Sequence, residues 1–205
     1  MPVKRAPVAF YDPAEGGGSI LDKASGNLGE PLNVIISGLS SPEVLTLEGL
    51  TNYGRAIGFA PECLGLHLGG YQSADLGDGK GTVDQATILR QDYSGTGEST
   101  CIESLIGGDH FRAWQQNGPK ANSGAVFLAV SKEKTAFNHH DIVDNGDNIG
   151  RDELVSAAKG VVSWDGVTYN TVVEDITGLM AVGSEGINHG IAVDGIVKLL
   201  TVTIQ

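Results

Sequence analysis

Glycine constrains this chain more than any other residue, because 30 of its 205 residues are glycine. The average share in proteins is roughly 7%, and glycine weakens the interior of helices and strands. The strict three-residue glycine period of a collagen helix is absent from the sequence. The pattern therefore predicts a globular fold of short elements joined by many tight turns, in a chain long enough to bury a substantial core.

The chain is acidic, with 25 Asp and Glu against 13 Lys and Arg and a formal net charge of -12. A surface of this sign repels the phosphate backbone, so we expect no nucleic-acid partner. Anionic membrane surfaces are disfavoured for the same reason. No apolar run approaches the roughly 20 residues that a membrane span needs. Metal ions and cationic ligands suit such a surface better.

Short apolar runs predict a mixed β-sheet with a few short helices. The β-branched run at 32–37 ends at Gly38 and is typical of a buried strand. Segments 110–116 and 124–131 flank a turn-rich stretch and predict an antiparallel hairpin. Further strands are expected at 63–68, 161–163, 168–173 and 196–204, and helices from the caps Ser40 and Ser41 to Gly58 and over 151–159. We therefore predict one α+β domain over residues 31–205, preceded by an irregular N-terminal arm over residues 1–30.

Residues 138–155 concentrate the side chains that metal ligation and acid–base chemistry use. The adjacent His139 and His140 point to opposite faces of an extended segment, so they do not easily share one ion. His110 on the predicted hairpin is the natural additional donor, and His67 on a separate strand is the second choice. These residues predict a site with a divalent metal ion as its candidate cofactor and with the metal ligands His110, His140, Asp144 and Asp147. The residues predicted to be catalytic are His140, Asp152 and Arg151.

A structural interpretation competes with this one. The Asp-rich loop can cap its own backbone, and Arg151 and Asp152 can form a structural ion pair. The spacing of the acidic residues excludes an EF-hand. On the hairpin, Arg112 is a candidate to steady an anionic group. Trp114 and Phe111 either line a groove for a carbohydrate or other small-molecule ligand or belong to the core on one strand face.

The two cysteines, Cys63 and Cys101, leave two alternatives open. They form a disulfide that closes a loop of about 40 residues and stabilises the fold by roughly 3–4 kcal/mol, or they are two buried thiols. The pair Lys4-Arg5 before Ala6 is either a dibasic processing site or a plain basic N-terminus. We expect an extracellular, secreted protein.

Several spaced blocks together resemble the LssY C-terminal-like domain family. They are His110-Phe-Arg-Ala-Trp, the apolar return strand at 125–131, His139-His140 before an Asp-rich loop, and Arg151-Asp152-Glu-Leu-Val. The strand at 30–38 also resembles a strand of this family. The chain is similar, too, to small secreted proteins of mushroom-forming fungi that consist of this module alone. The resemblance covers roughly residues 30–160 and implies an α+β fold. Its matched polar positions are His110, Arg112, His140, Asp144 or Asp147, Arg151 and Asp152. In bacteria the module is often attached to a membrane phosphatase, which implies lipid or phosphoester contexts only by association.

Two functions follow from these observations. The favoured one is an extracellular protein that binds a ligand or partner and has no complete catalytic constellation. The alternative is a metal-assisted hydrolase that uses His110, His140 and an aspartate. Shared ligation would require a ring nitrogen of His110 within about 4–5 Å of an imidazole nitrogen of His140, beside a cleft.

Overall fold

The computed structural model describes residues 6–65, 67, 70–96 and 99–205. The dibasic pair Lys4-Arg5 lies outside these residues. The helices are α1 (Leu47–Ala56), α2 (Thr100–Ile106) and α3 (Gly146–Ala158). The strands are β1 (Val34–Ile36), β2 (Phe59–Pro61), β3 (Ser73–Asp75), β4 (Thr82–Asp84), β5 (Thr87–Gln91), β6 (Gly108–Asn117), β7 (Asn122–Glu133), β8 (Gly160–Trp164), β9 (Val167–Ile176) and β10 (Val197–Ile204).

Eight of these strands form one mixed sheet in the order β2-β5-β6-β7-β1-β10-β9-β8. Strands β1 and β10 are parallel, and the other neighbours are antiparallel. Strands β3 and β4 pair separately. The prediction of an α+β fold with a mixed sheet and a few short helices is confirmed. Among the described residues, no helix is both long and apolar enough to cross a bilayer.

The predicted hairpin is strands β6 and β7, which pair from Gly108↔Glu133 to Asn117↔Asn122. Because side chains alternate along a strand, His110, Arg112 and Trp114 share one face. Phe111 belongs to the core on the other face, whereas Trp114 belongs to the core on this one. Both aromatic residues are core residues, but the prediction that they share a face is wrong because their positions differ by an odd number.

The sheet separates two cores. Helix α1 and the C-terminal half of α3 cover the first through Leu50, Tyr53 and Leu154. The N-terminal arm and the segment 179–193 cover the second, where Phe10 packs edge-on against Phe127 at 6.2 Å between ring centroids. The arm is irregular apart from a 3-10 turn at Pro13–Gly16 and isolated bridges. It brings polar groups onto the side of the sheet that carries the second core.

Helix α3 lies against β7 next to the first residue of β1. Strand β1 pairs with only three residues of β7. The Asn33 side chain then replaces a strand: its Nδ2 donates to Val130 O at 2.9 Å, and its Oδ1 accepts from Val130 N at 3.1 Å. The same Nδ2 donates to Asp147 O in the first turn of α3. Asn33 therefore joins the strand end to the helix.

Two predicted elements are wrong in detail. Helix α1 begins after Thr46, whose Oγ1 accepts from Gly49 N, and not at Ser40 or Ser41. Those two hydroxyls instead accept from the backbone N–H groups of Val202 and Ile204 and hold β10. Cys63–Gly65 is a 3-10 turn rather than the start of a strand. Leu66 and Leu68 of that predicted strand lie outside the described residues.

The remaining predicted elements are confirmed, although α3 begins earlier than expected, after Asn145. Gly58, in the left-handed region at φ 86°, follows the end of α1. Cys63 and Cys101 form a disulfide across 38 residues. It connects the 3-10 turn at Cys63–Gly65 to α2, which the sequence did not predict.

Gly150 lies at a close approach of α3 to β7. A Cβ there would lie 2.6 Å from the Ser131 carbonyl carbon and 2.8 Å from Lys132 N. Alanine at an exposed helix position normally stabilises by about 1 kcal/mol relative to glycine. We expect Gly150→Ala to lower the free energy of unfolding by about 2 kcal/mol, measured by urea denaturation. The control Ser156→Ala, on the exposed side of α3, should change it by less than about 0.5 kcal/mol. A more stable Gly150→Ala protein would contradict this packing.

Candidate functional site

The structure brings His110 and His140 to one carboxylate, that of Glu133. Nδ1 of His110 lies 3.4 Å from Glu133 Oε1. Nδ1 of His140 lies 3.3 Å from Glu133 Oε2. Neither contact has hydrogen-bond geometry, and both Nδ1 atoms are buried without a hydrogen-bond partner. Both histidines therefore lie against Glu133, a residue that the sequence did not single out.

The contact at Nε2 of His110 determines which ring nitrogen carries the proton. Arg112 Nη1 lies 2.8 Å from His110 Nε2, and because a guanidinium only donates, Nε2 must accept. Full burial, with Arg112 as the next cause, lowers the pKa of His110 well below 6.5. The ring is therefore neutral, with its proton on Nδ1 facing Glu133. A metal ion would compete with Arg112 for Nε2.

Arg90 on β5 is the centre of the charged cluster on the Glu133 side. Its Nη1 lies 2.8 Å from Glu133 Oε2 and 3.2 Å from Glu103 Oε1, and its Nε lies 3.3 Å from Glu62 Oε1. Glu103 is fully buried. Burial, together with the neighbouring Glu133, raises the pKa of Glu103 to about 7 despite the attraction of Arg90. One guanidinium thus links three carboxylates from three parts of the chain.

Arg112 continues the cluster to the N-terminal arm. Its Nη1 donates to Glu30 Oε2 at 3.0 Å. The Glu30 N–H donates to Asp22 Oδ1 at 2.7 Å, and Asp22 Oδ2 has no partner. Burial and repulsion from Glu30 raise the pKa of Asp22 to about 8 and that of Asp147 to about 7. We call the set Arg90, Arg112, His110, Glu30, Glu103, Glu133, Asp22 and Asp147 the buried charge network.

The buried charge network is poorly accessible to a substrate. His110 and Glu103 have no exposed surface, and Ser131, which pairs with His110 across the hairpin, is 1% exposed. The side chains of Arg90 and Arg112 are 12% exposed, and that of His140, which lies beside Glu133, is 30% exposed. A general base must reach the proton that it removes. The arrangement therefore leaves a substrate little access to these charged groups.

The other predicted site residues lie apart from this cluster. Arg151 is buried and forms a bidentate ion pair with Asp194, at 2.6 and 2.9 Å. It also donates to Ile196 O and to Asp152 Oδ1, and so ties α3 to the start of β10. Asp144 is exposed. Trp114 is buried, and its Nε1 has no partner.

Across the residues that the structure describes, no group of three or more His, Cys, Asp or Glu side chains is placed to hold a metal ion. The predicted ligands His110 and His140 meet at Glu133, whereas Asp144 does not join them. The metal site and the catalytic roles of His140, Asp152 and Arg151 stay predictions.

Helix α2 lies above the network and has an inverted polarity. Its buried residues are polar, Thr100 and Glu103, whereas Ile102, Leu105 and Ile106 are 47%, 61% and 56% exposed. The 3-10 turns that contact α2 add Leu64 at 85% exposure and Phe137 at 91%. A surface helix normally buries its apolar side. We call Leu64, Ile102, Leu105, Ile106 and Phe137 the apolar face.

A pocket of about 540 Å³ adjoins this face. Its walls include Pro61, Leu64 and Cys101, with Arg55, Glu62 and Thr96 as polar groups. Leu64 has a left-handed backbone, with φ 53°, which costs a non-glycine residue roughly 1–2 kcal/mol. Backbone strain of this kind concentrates at functional sites.

Sequence reasoning missed most of the network, although part of it carried a signal. Glu133 follows Ser131 by two residues in β7, so both side chains point to the same face of the sheet, the one that carries His110. Arg90 is the one charged residue in the strand Thr87–Gln91. Asp22 and Glu30 had no signal, because they belong to an irregular arm whose path depends on tertiary packing.

Comparison with known proteins adds no relatives. No family model matches the chain, and neither a curated protein nor a solved structure matches it. The resemblance to the LssY C-terminal-like family therefore stays a prediction.

The buried acids predict how stability depends on pH. Burial raises the pKa of Asp22 and Asp109 from 3.8 to about 8, and that of Asp147 to about 7. The folded state then keeps protons that the unfolded state releases, so the free energy of unfolding falls as pH rises from about 4 to about 8. His110 acts in the opposite direction below pH 6.5, because the folded state excludes its proton. Since the acids outnumber this histidine, we expect a thermal midpoint at least about 5 °C higher at pH 5 than at pH 8.5.

Asp22→Asn mimics the protonated carboxyl and keeps an acceptor for Glu30 N. This variant should have a smaller difference between its thermal midpoints at pH 5 and pH 8.5, mainly because its midpoint at pH 8.5 is higher than that of the wild type. The exposed control Asp144→Asn should leave the difference unchanged. A wild-type midpoint that rises between pH 5 and pH 8.5 would refute this account.

Proposed function

We propose that this chain is an extracellular, non-catalytic binding protein that holds an amphipathic small-molecule ligand at the apolar face and its adjoining pocket. The inverted polarity of α2 is the observation that carries the proposal. A helix that buries a glutamate and exposes two isoleucines and a leucine gives up hydrophobic stabilisation of roughly 25 cal/mol for each Å² left in water. A bound ligand recovers that stabilisation.

The apolar face is fixed before any ligand binds. The disulfide joins Cys101 in α2 to Cys63 in the turn that carries Leu64. On the inner side, Glu103 pairs with Arg90 of the sheet. These two ties prevent α2 from rotating its apolar side inward. A surface that is already ordered loses little conformational entropy on binding.

The pocket supports a small ligand. Its volume of about 540 Å³ lies within the range of roughly 300–1,000 Å³ that is usual for ligand sites. Apolar walls with a few polar groups also fit such a site. Because the chain carries a net charge of -12, a neutral or cationic head group suits the ligand better than an anionic one.

The alternative of a metal-assisted hydrolase has less support. His110 is fully buried, and its Nε2 accepts from Arg112, so neither a substrate nor an ion has ready access to it. The disulfide supports the extracellular location, since disulfides persist in oxidising compartments. A module of the LssY C-terminal-like kind is compatible with this proposal, because the resemblance itself implies no settled activity.

A titration with Nile red, a neutral fluorescent apolar probe, tests the proposal. We expect saturable binding to the wild-type protein, and competition by dodecyl maltoside and dodecyltrimethylammonium that is stronger than by dodecyl sulfate. Leu64→Ser and Leu105→Ser each remove apolar contact area and should raise the dissociation constant at least about fivefold.

The matched control is Val182→Ser. Val182 is 77% exposed and lies outside the apolar face, so its substitution should leave probe binding unchanged. Non-saturable binding, or an equal loss in Val182→Ser, would show that the probe reads general surface hydrophobicity. Either result would refute the proposed site.

A further inference from the structure

Strand β8 forms one edge of the eight-stranded sheet and is open on its outer side. It pairs only with β9, from Gly160↔Thr171 to Trp164↔Val167. No backbone hydrogen bond from the described residues reaches it from any other element. A Cβ placed on Gly160 would meet nothing within 4 Å. Within the part of the chain that the structure describes, the outer edge of β8 therefore has no backbone partner.

The turn geometry determines which backbone groups face outward. Asp165 and Gly166 form a two-residue turn with positive φ values of 46° and 77°, as in a type I′ hairpin. In such a hairpin the closing residues, Trp164 and Val167, exchange hydrogen bonds, and hydrogen-bonded pairs then alternate along the strands. The N–H and C=O groups of Val161 and Ser163 consequently point away from β9.

This edge lacks the usual protection against strand addition. Natural edge strands carry lysine, proline or a bulge that blocks a further strand. Strand β8 reads Gly-Val-Val-Ser-Trp, with no charge and no proline, in a chain whose residues are 19% charged. Val161 is 63% exposed. An uncharged edge on a strongly acidic protein is suited to an uncharged strand.

We propose that β8 is a self-association surface, and that its occupant is the β8 strand of a second copy of this chain. An antiparallel arrangement about a twofold axis at Val162 places Val161 of each copy opposite Ser163 of the other. The outward N–H and C=O groups of both residues then pair completely. Val162 meets its own equivalent, and Trp164 lies opposite Gly160, where no side chain obstructs its ring.

Packing on the inner face supports the same arrangement. Val162 and Trp164 are partly buried against the first core, and Arg55 lies over the Trp164 ring at 5.5 Å from its centroid. A second copy would extend this core across the new strand pair and cover the surface that remains exposed. The contact is short, so the dimer belongs to the weak, transient class, with an expected dissociation constant of about 10–100 μM.

Charge makes the dimer dependent on salt. Each copy carries a net charge of -12, so the copies repel one another while the paired strands themselves are neutral. Raising sodium chloride from about 20 mM to about 0.5 M shortens the Debye length severalfold. Association should therefore strengthen with salt, the reverse of what an interface built on ion pairs would show.

Sedimentation equilibrium of the full chain, together with two variants at one position, tests the proposal. Ser163→Pro removes the outward N–H and leaves the backbone hydrogen bonds to β9 in place, although it also removes the hydroxyl that bonds to Thr168 of β9 at 3.1 Å, and it should weaken the dimer at least about tenfold. Ser163→Ala removes the same hydroxyl but keeps the N–H, so it should dimerise like the wild type. Cooperative thermal unfolding of both variants confirms that the fold is retained.

Amide hydrogen exchange provides a test that needs no variant. The amides of Val161 and Ser163 should become protected as the concentration of wild-type protein rises. A wild-type protein that stays monomeric at several hundred micromolar would overturn the proposal. A Ser163→Pro dimer as tight as the wild type would also overturn it, as would a dimer that Leu105→Ser abolishes, since that result would assign the interface to the apolar face.

Discussion

The ion pairs of Arg90 with Glu103 and Glu133 are the interaction on which the exposed apolar surface depends. Glu103 is the inner residue of α2, and its fully buried carboxylate would be costly without a cation. Arg90 supplies that cation from β5 and at the same time joins Glu133 of β7. Since α2 must present Glu103 to Arg90, it presents Ile102, Leu105 and Ile106 to solvent. The burial of Glu103 and the exposure of the apolar residues of α2 therefore have the same cause.

The network has more carboxyl groups than guanidinium groups, and protons compensate for the difference. Asp22 and Asp147 lie near Glu30, so burial and repulsion raise their pKa values to about 8 and about 7 and favour their protonated forms near neutral pH. His110 makes the opposite adjustment and stays neutral between Arg112 and Glu133. The raised pKa values of these acids favour the folded state at mildly acidic pH over alkaline pH.

Sequence reasoning was strongest where a periodic pattern was long. The hairpin of β6 and β7 followed from apolar alternation around a turn-rich stretch, and strand parity already placed His110 and Arg112 on one face. It was weaker at boundaries: Ser40 and Ser41 are residues typical of a helix start, yet they bond to β10. It failed for β2–β5 and α2, whose short runs carry too few residues for a period to stand out.

The sequence by itself determined the α+β class, the central hairpin and the acidic surface, because these depend on local alternation and on composition. It also marked His110 and His140 as neighbours. Only the tertiary structure decided that Glu133 lies between them, that Asp22 and Glu30 approach from a distant arm, and that Cys63 pairs with Cys101. It also decided which side of α2 faces inward, because that orientation depends on Arg90, which lies on a different strand. Contacts between residues far apart in the chain leave no period in the sequence.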